Sequence, residues 1–143
     1  MSETIVLVHG LWMTPLSWEH WVERFSQRGH QVLAPAWPGM DRSVESLRAD
    51  TTSYAHLGVT EIADHYEKLI REIDSPPIIM GHSFGGLVTQ ILLDRGLGAA
   101  GVAIDPAPPK GVLVIPPASL RVASVSLRNP VNRHRAQMLT AKQ

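Results

Sequence analysis

Pro77-Ile78-Ile79-Met80-Gly81-His82-Ser83-Phe84-Gly85-Gly86 is the stretch whose reading decides the fold of this chain. An apolar run ends in a Gly-x-Ser-x-Gly pattern, and Leu87, Val88, Ile91 and Leu92 follow at helical spacing. A buried strand therefore turns sharply into a helix. A serine at such a turn is pushed into a strained backbone conformation with its hydroxyl exposed above the sheet. Glycines flank it because neighbouring chain passes too close for a β-carbon. The helix that follows aims its N-terminal amides at the same spot, where a developing oxyanion would be stabilised. Ser83 is the candidate nucleophile.

Upstream, Ile5-Val6-Leu7-Val8 is a continuous apolar run, as expected of a strand buried on both faces of a parallel sheet. The His9-Gly10-Leu11-Trp12 loop follows it. Thr14 and Pro15 suit the cap and first position of a helix whose apolar face is Leu16, Trp18, Trp21, Val22 and Phe25, ending at Gly29. Gln31 to Ala34 reads as a second strand, closed by the proline-rich loop Pro35-Ala36-Trp37-Pro38-Gly39. Residues 43–57 are a polar helix or loop. Ile62, Ala63, Tyr66, Leu69, Ile70 and Ile73 mark a helix over 59–73. Ile78 to Met80 is the third strand, a helix runs from the serine turn to Gly96, and Ala100 to Ile104 is the fourth strand, ending at Asp105. Strand and helix alternate throughout, which predicts an α/β fold, a parallel sheet with helices on both faces.

After Asp105 the pattern stops. Pro106, Pro108, Pro109, Pro116, Pro117 and Pro130 break the chain, Val112 to Ile115 is too short to assign, and 130–142 suits a short helix. We expect residues 1–109 to be the N-terminal part of a domain that stops after its fourth strand, and 110–143 to be an irregular basic tail. The 143 residues carry no net charge, yet all 13 acidic residues lie at or before Asp105, while Lys110, Arg121, Arg128, Arg133, Arg135 and Lys142 follow it. Those basic residues are dispersed and lack aromatic partners, which argues against nucleic-acid binding. With 44% hydrophobic and 18% charged residues the composition is that of a soluble globular protein. The absence of cysteine removes disulfides, thiolate nucleophiles and Cys-based metal sites. Neither a signal peptide nor a membrane-length apolar segment is visible, so the expectation is a cytoplasmic protein without membrane contact.

The order strand, His9-Gly10, helix, strand, Pro38-Gly39, helix, strand, Gly81-His82-Ser83-Phe84-Gly85-Gly86 resembles the α/β-hydrolase fold superfamily. It is similar to the esterase, lactonase and cofactor-free haloperoxidase branch. The resemblance covers residues 3–109, roughly the first half of such a domain, and implies a serine hydrolase acting on a small ester, lactone or similar acyl substrate, without cofactor. It implies Ser83 as nucleophile and the backbone N–H groups of Leu11 and Phe84 as the oxyanion hole. Trp12, Trp37 and Met40 lie on loops at strand ends, where they line an acyl pocket or belong to the core. His82 and His9 read as structural, bracing groups more than bases, and a His9–His82 metal pair lacks a third ligand.

A serine also needs a base, and the base an orienting acid, in the chain order Ser, acid, His. After Ser83 the acids are Asp94 and Asp105 and the histidine is His134. Asp94 falls within a helix, so Asp105 is the candidate acid, alternatively a turn-forming Asp-Pro pair, and His134 is the candidate base although no strand precedes it. The rival expectation is an incompetent fragment that keeps the nucleophile and lacks the base. Nucleotide binding is excluded: Leu87 and Val88 occupy the lysine and hydroxyl positions of a P-loop, and no G-x-G-x-x-G follows the first strand. The uncharged fourth strand, at a sheet edge, predicts poor stability alone and self-association.

Overall fold

The computed structural model describes residues 2–112 and, beyond them, 117, 118, 120, 121 and 124. The His134 assignment, the 130–142 helix and most of the 110–143 tail lie outside the described residues. Among those described, four parallel strands form one sheet in the order β2-β1-β3-β4: β1 Thr4–Val8, β2 Gln31–Leu33, β3 Ile78–His82 and β4 Ala100–Ile104. A 3-10 turn, Pro15–Trp18, leads into helix α1, Glu19–Ser26; helices α2, Val44–Ala49, and α3, Val59–Arg71, lie between β2 and β3, and α4, Phe84–Asp94, follows β3.

Strand alternation divides the core into two layers. Ile5 and Leu7 of β1 and Met80 of β3 face one side, where Trp18 is buried with them and Val22 and Phe25 pack on top. Val6, Val8 and Ile79 face the other, against Ile62, Ala63, Tyr66 and Ile70 of α3 and Val88 and Leu92 of α4. Helices thus cover both faces. The Arg95 guanidinium, at the C-terminus of α4, ties α4 to α3 by hydrogen bonds of 2.7 Å to both Asp64 and Glu67. Arg71, followed by Arg95, holds the Glu67 carboxyl below its ordinary range.

Three local departures from the sequence reading have physical causes. The helix after Pro15 opens as a 3-10 turn, the Ser17 amide donating to the Thr14 carbonyl three residues back at 3.0 Å, as the first turn of a helix often does. Trp21, expected in the core, is 39% exposed: Trp18 fills the space beneath, and Trp21 packs on it edge-on at 5.6 Å. β3 runs two residues beyond Met80 because its pairing with β4 continues through Gly81↔Ala103 and His82↔Ile104. β4 itself is exposed from Ala100 to Ala103 and pairs only with β3 among the described residues.

Candidate active site

β1 and β3 are the central, adjacent strands, and the chain leaves their carboxyl ends toward opposite faces of the sheet. Beyond β1 it enters the layer of Trp18, and beyond β3 it enters α4. In an open parallel sheet this switch point opens the crevice in which ligands bind. The three non-glycine residues with positive φ among those described all follow carboxyl ends of strands: Trp12 (φ 64°) after β1, Ser83 (φ 55°) after β3 and Asp105 (φ 40°) after β4. Such conformations cost about 1–3 kcal/mol each and persist only where the surroundings impose them.

At Ser83 the surroundings do impose it. Its N–H donates to the Ile104 carbonyl at 3.0 Å, while its own carbonyl accepts from the Ala107 and Leu87 amides at 2.9 and 3.2 Å. Gly81 and Gly85 let the corner close. A β-carbon on Gly81 would overlap the Gly85 carbonyl and Thr89 Oγ1, and one on Gly85 would overlap the Val8 carbonyl. The Thr89 hydroxyl, fully buried, donates to the Gly85 carbonyl at 2.9 Å. Ser83 is half-buried at the head of α4, and the first amides of that helix, Phe84 included, have no acceptor within it.

The loop after β1 lies against the serine. A β-carbon on Gly10 would stand 3.2 Å from Ser83 Cβ, 3.2 Å from the His82 carbonyl oxygen and 3.3 Å from His82 Nδ1. The chain then reverses, the Met13 N–H donating to the Gly10 carbonyl at 3.3 Å with Trp12 in the left-handed region. His9 anchors this loop from beneath. Its ring is fully buried, stacked on Trp37 at 4.7 Å. Nε2 accepts from the Trp37 amide at 3.3 Å, which leaves Nδ1 protonated and donating to the Gly10 carbonyl at 3.0 Å. Burial pushes the His9 pKa down to about 4, so the imidazole is neutral. Both nitrogens are engaged, and neither is open to take a proton from Ser83.

Trp12 is 52% exposed, whereas Trp37 and Met40 are buried at 5% and 8% in the larger core layer. The Tyr66 hydroxyl donates to the Pro35 carbonyl at 2.6 Å and fixes the loop that carries Trp37. The ring of His82 makes no hydrogen bond among the described residues; it packs over Gly10 instead. Asp105 follows Ile104, the acceptor of the Ser83 amide, and is exposed; Asp94 ends α4, far from the elbow. The His9–Trp37 link was not legible beforehand, since it joins loops 28 residues apart. A cleft of about 700 Å³ lies between β2 and the C-terminal end of α3, lined by Thr4, Gln31, Leu33, Leu69 and Ile73, none of which belongs to the serine site. No group of three His, Asp or Glu side chains that could hold a metal ion exists among the described residues, nor a helix long and apolar enough to cross a membrane.

A family model described as the alpha/beta hydrolase family matches residues 5–141. Among solved structures, an extracellular α/β-hydrolase from a Paenibacillus species superposes with a TM-score of 0.73 at 24% identity, over 96% of this chain and 55% of that one. That protein is described as sharing structural and functional homology with tobacco salicylic acid binding protein 2. The monoacylglycerol lipase of Paleococcus ferrophilus gives 0.59 at 27% identity, over 90% and 48% of the two chains. An epoxide hydrolase of Vigna radiata gives 0.59 at 20%, over 85% and 39%. The chain thus spans about half the length, or less, of these structures. No curated protein sequence matches it.

Proposed function

The chain belongs to the α/β-hydrolase family, and from that premise we propose that it is a serine hydrolase acting on a small ester, lactone or similar acyl substrate. One observation carries the reading: Ser83 is locked at φ 55°, ψ −118° at the head of α4, with the Gly10 loop against its β-carbon. Ser83 Oγ attacks the substrate carbonyl, and its proton passes to a base. The oxyanion of the tetrahedral intermediate accepts hydrogen bonds from the Leu11 and Phe84 amides. Collapse expels the alcohol with the proton from the base, and water then hydrolyses the acyl-serine by the reverse sequence. Asp105 as orienting acid and His134 as base complete the triad. Trp12 forms the solvent-side wall of the acyl pocket, and Trp37 and Met40 back it from the core.

A second reading is a chain that keeps the nucleophile but does not turn over. What favours it is that Ser83 Oγ has no hydrogen-bond partner among the described residues, while His9 is already bonded at both nitrogens. A fluorophosphonate probe followed by peptide mass spectrometry, alongside 4-nitrophenyl acetate turnover, separates the two. Phosphonylation confined to Ser83, with turnover lost in Ser83→Ala and in His134→Ala, is the expected result. A cooperatively folded chain with no adduct, and turnover equal to that of Ser83→Ala, overturns the hydrolase reading in favour of the second.

A further inference from the structure

Resting on the hydrolase reading above, we propose that Tyr66 and His65, successive residues of α3, are positioning residues for the oxyanion hole. Through the Pro35-Ala36-Trp37 segment and the His9 ring they fix the direction of the Leu11 N–H. The segment belongs to no helix or strand, yet its three carbonyls are all bonded. The Tyr66 hydroxyl donates to Pro35 at 2.6 Å, His65 Nε2 to Ala36 at 3.2 Å and the Met40 amide to Trp37 at 2.9 Å. A carbonyl only accepts, so His65 carries a proton on Nε2. Tyr66 is fully buried, and burial raises its phenol pKa, so the hydroxyl keeps its proton. Pro35 and Pro38 have no N–H and a fixed φ, which stiffens the backbone between them. Two neighbouring side chains of one helix thus grip two successive peptides.

What the segment holds in place is His9. The Trp37 amide donates to Nε2 at 3.3 Å, and the Trp37 indole lies on the ring face at 4.7 Å, 19° from parallel. One residue therefore sets the imidazole both within its plane and across it. His9 Nδ1 then donates to the Gly10 carbonyl at 3.0 Å, and the Met13 amide meets the same oxygen at 3.3 Å. Two donors account for both lone pairs of that oxygen. The Gly10 carbonyl and the Leu11 N–H share one planar trans peptide, so they point in opposite directions. Pinning the oxygen aims the N–H the other way. The Leu11 N–H has no acceptor among the described residues, and Gly10 beside it lies against Ser83 Cβ. Hydrogen bonds weaken steeply once the donor angle falls below ~120°, so a modest rotation of this peptide spoils the donor.

Turnover of 4-nitrophenyl acetate by the full chain, run well below each variant's melting midpoint, tests the assignment. Outright loss of an oxyanion donor lowers kcat by about 10²–10³, and misaiming one should cost less. Tyr66→Phe, which keeps the ring and removes the donor, and His65→Leu should each lower kcat by roughly tenfold. KM should stay within about twofold, because the oxyanion forms only in the transition state. His65→Gln, which still offers an N–H, should recover most of the loss. A merely structural role would lower the melting midpoint and leave the kcat of the folded chain unchanged. Turnover by the parent no faster than by Ser83→Ala would sink the hydrolase reading instead. The bonds are then judged alone, by NMR of nitrogen-labelled histidine: exchange of the His9 Nδ1 proton with water should quicken in Tyr66→Phe. The proposal is overturned by Ser83-dependent turnover whose kcat is unchanged in Tyr66→Phe and His65→Leu, and equally by an unchanged exchange rate at His9 Nδ1.

Discussion

Replacing Gly85 by alanine tests the corner on which everything else depends. The added methyl would overlap the Val8 carbonyl oxygen and stand 2.6 Å from the His9 carbonyl oxygen and 2.7 Å from the Val8 carbonyl carbon. Non-bonded carbon contacts settle at about 3.5–4.0 Å, so α4 must retreat from β1 by roughly 1 Å. No flexible side chain can absorb the collision, because every atom struck is backbone, of Val8 at the end of β1 or of His9 just after it. The retreat loosens Val88 and Leu92, both fully buried. Overpacking typically costs about 1–3 kcal/mol, occasionally more, and a backbone collision belongs at the upper end. The helix preference of alanine over glycine returns about 1 kcal/mol. A net loss of about 2 kcal/mol is expected, a large share of the ~5–15 kcal/mol that holds a domain together. In urea unfolding followed by tryptophan fluorescence, the midpoint should fall by about 0.7–2 M at a slope of about 1–3 kcal/mol/M. Gly10→Ala, whose nearest neighbours stand at 3.2–3.3 Å, should lose markedly less. A Gly85→Ala chain as stable as the parent, or as stable as Gly10→Ala, would refute the close seating of α4 on β1.

Ser83→Gly should be more stable than Ser83→Ala by about 1 kcal/mol, since glycine alone is at ease at φ 55°, ψ −118°; equal thermal midpoints would count against backbone strain there. His9 has a folded pKa of about 4 against an ordinary 6.5. As pH falls below 6.5 the unfolded chain takes up a proton that the folded chain refuses. Stability therefore declines by up to ~1.4 kcal/mol per pH unit and levels off below about 4. Subtracting the pH profile of His9→Asn from that of the parent should isolate this slope, and superimposable profiles would exclude it. Tyr66→Phe strips the Pro35 carbonyl of its buried donor and should cost about 1–2 kcal/mol in denaturant melts; no loss would mean the bond is not made.

What the sequence disclosed was the part governed by short-range pattern. The apolar runs at β1 and β4 and the helical spacing of Ile62 to Ile70 gave elements within a residue or two of those observed, and the glycines around Ser83 gave the turn between β3 and α4. The misjudged features depend on neighbours distant in sequence. β3 reaches His82 only because Ile104 pairs with it, and Trp21 is displaced outward because Trp18 occupies the layer beneath. The left-handed Trp12 left no trace at all, since nothing in an aromatic side chain announces a positive φ. His9 reads from sequence only as a histidine beside a glycine. That both its nitrogens are bonded, one to an amide 28 residues away, becomes visible once β1 and β2 lie side by side.

The two bonds that tie Ser83 to the chain around β4 have a dynamic consequence. The Ser83 amide ends on the Ile104 carbonyl, and the Ser83 carbonyl receives the Ala107 amide. The corner that carries Ser83 therefore hangs from the most exposed strand among the described residues. Hydrogen exchange at the Ser83 amide should follow the opening of that outer strand and not the slower global unfolding that governs β1. Each fraying event of that strand momentarily frees Ser83 from its φ 55° conformation. Whatever packs against that strand will slow the amide's exchange and lengthen the time Ser83 keeps its left-handed backbone.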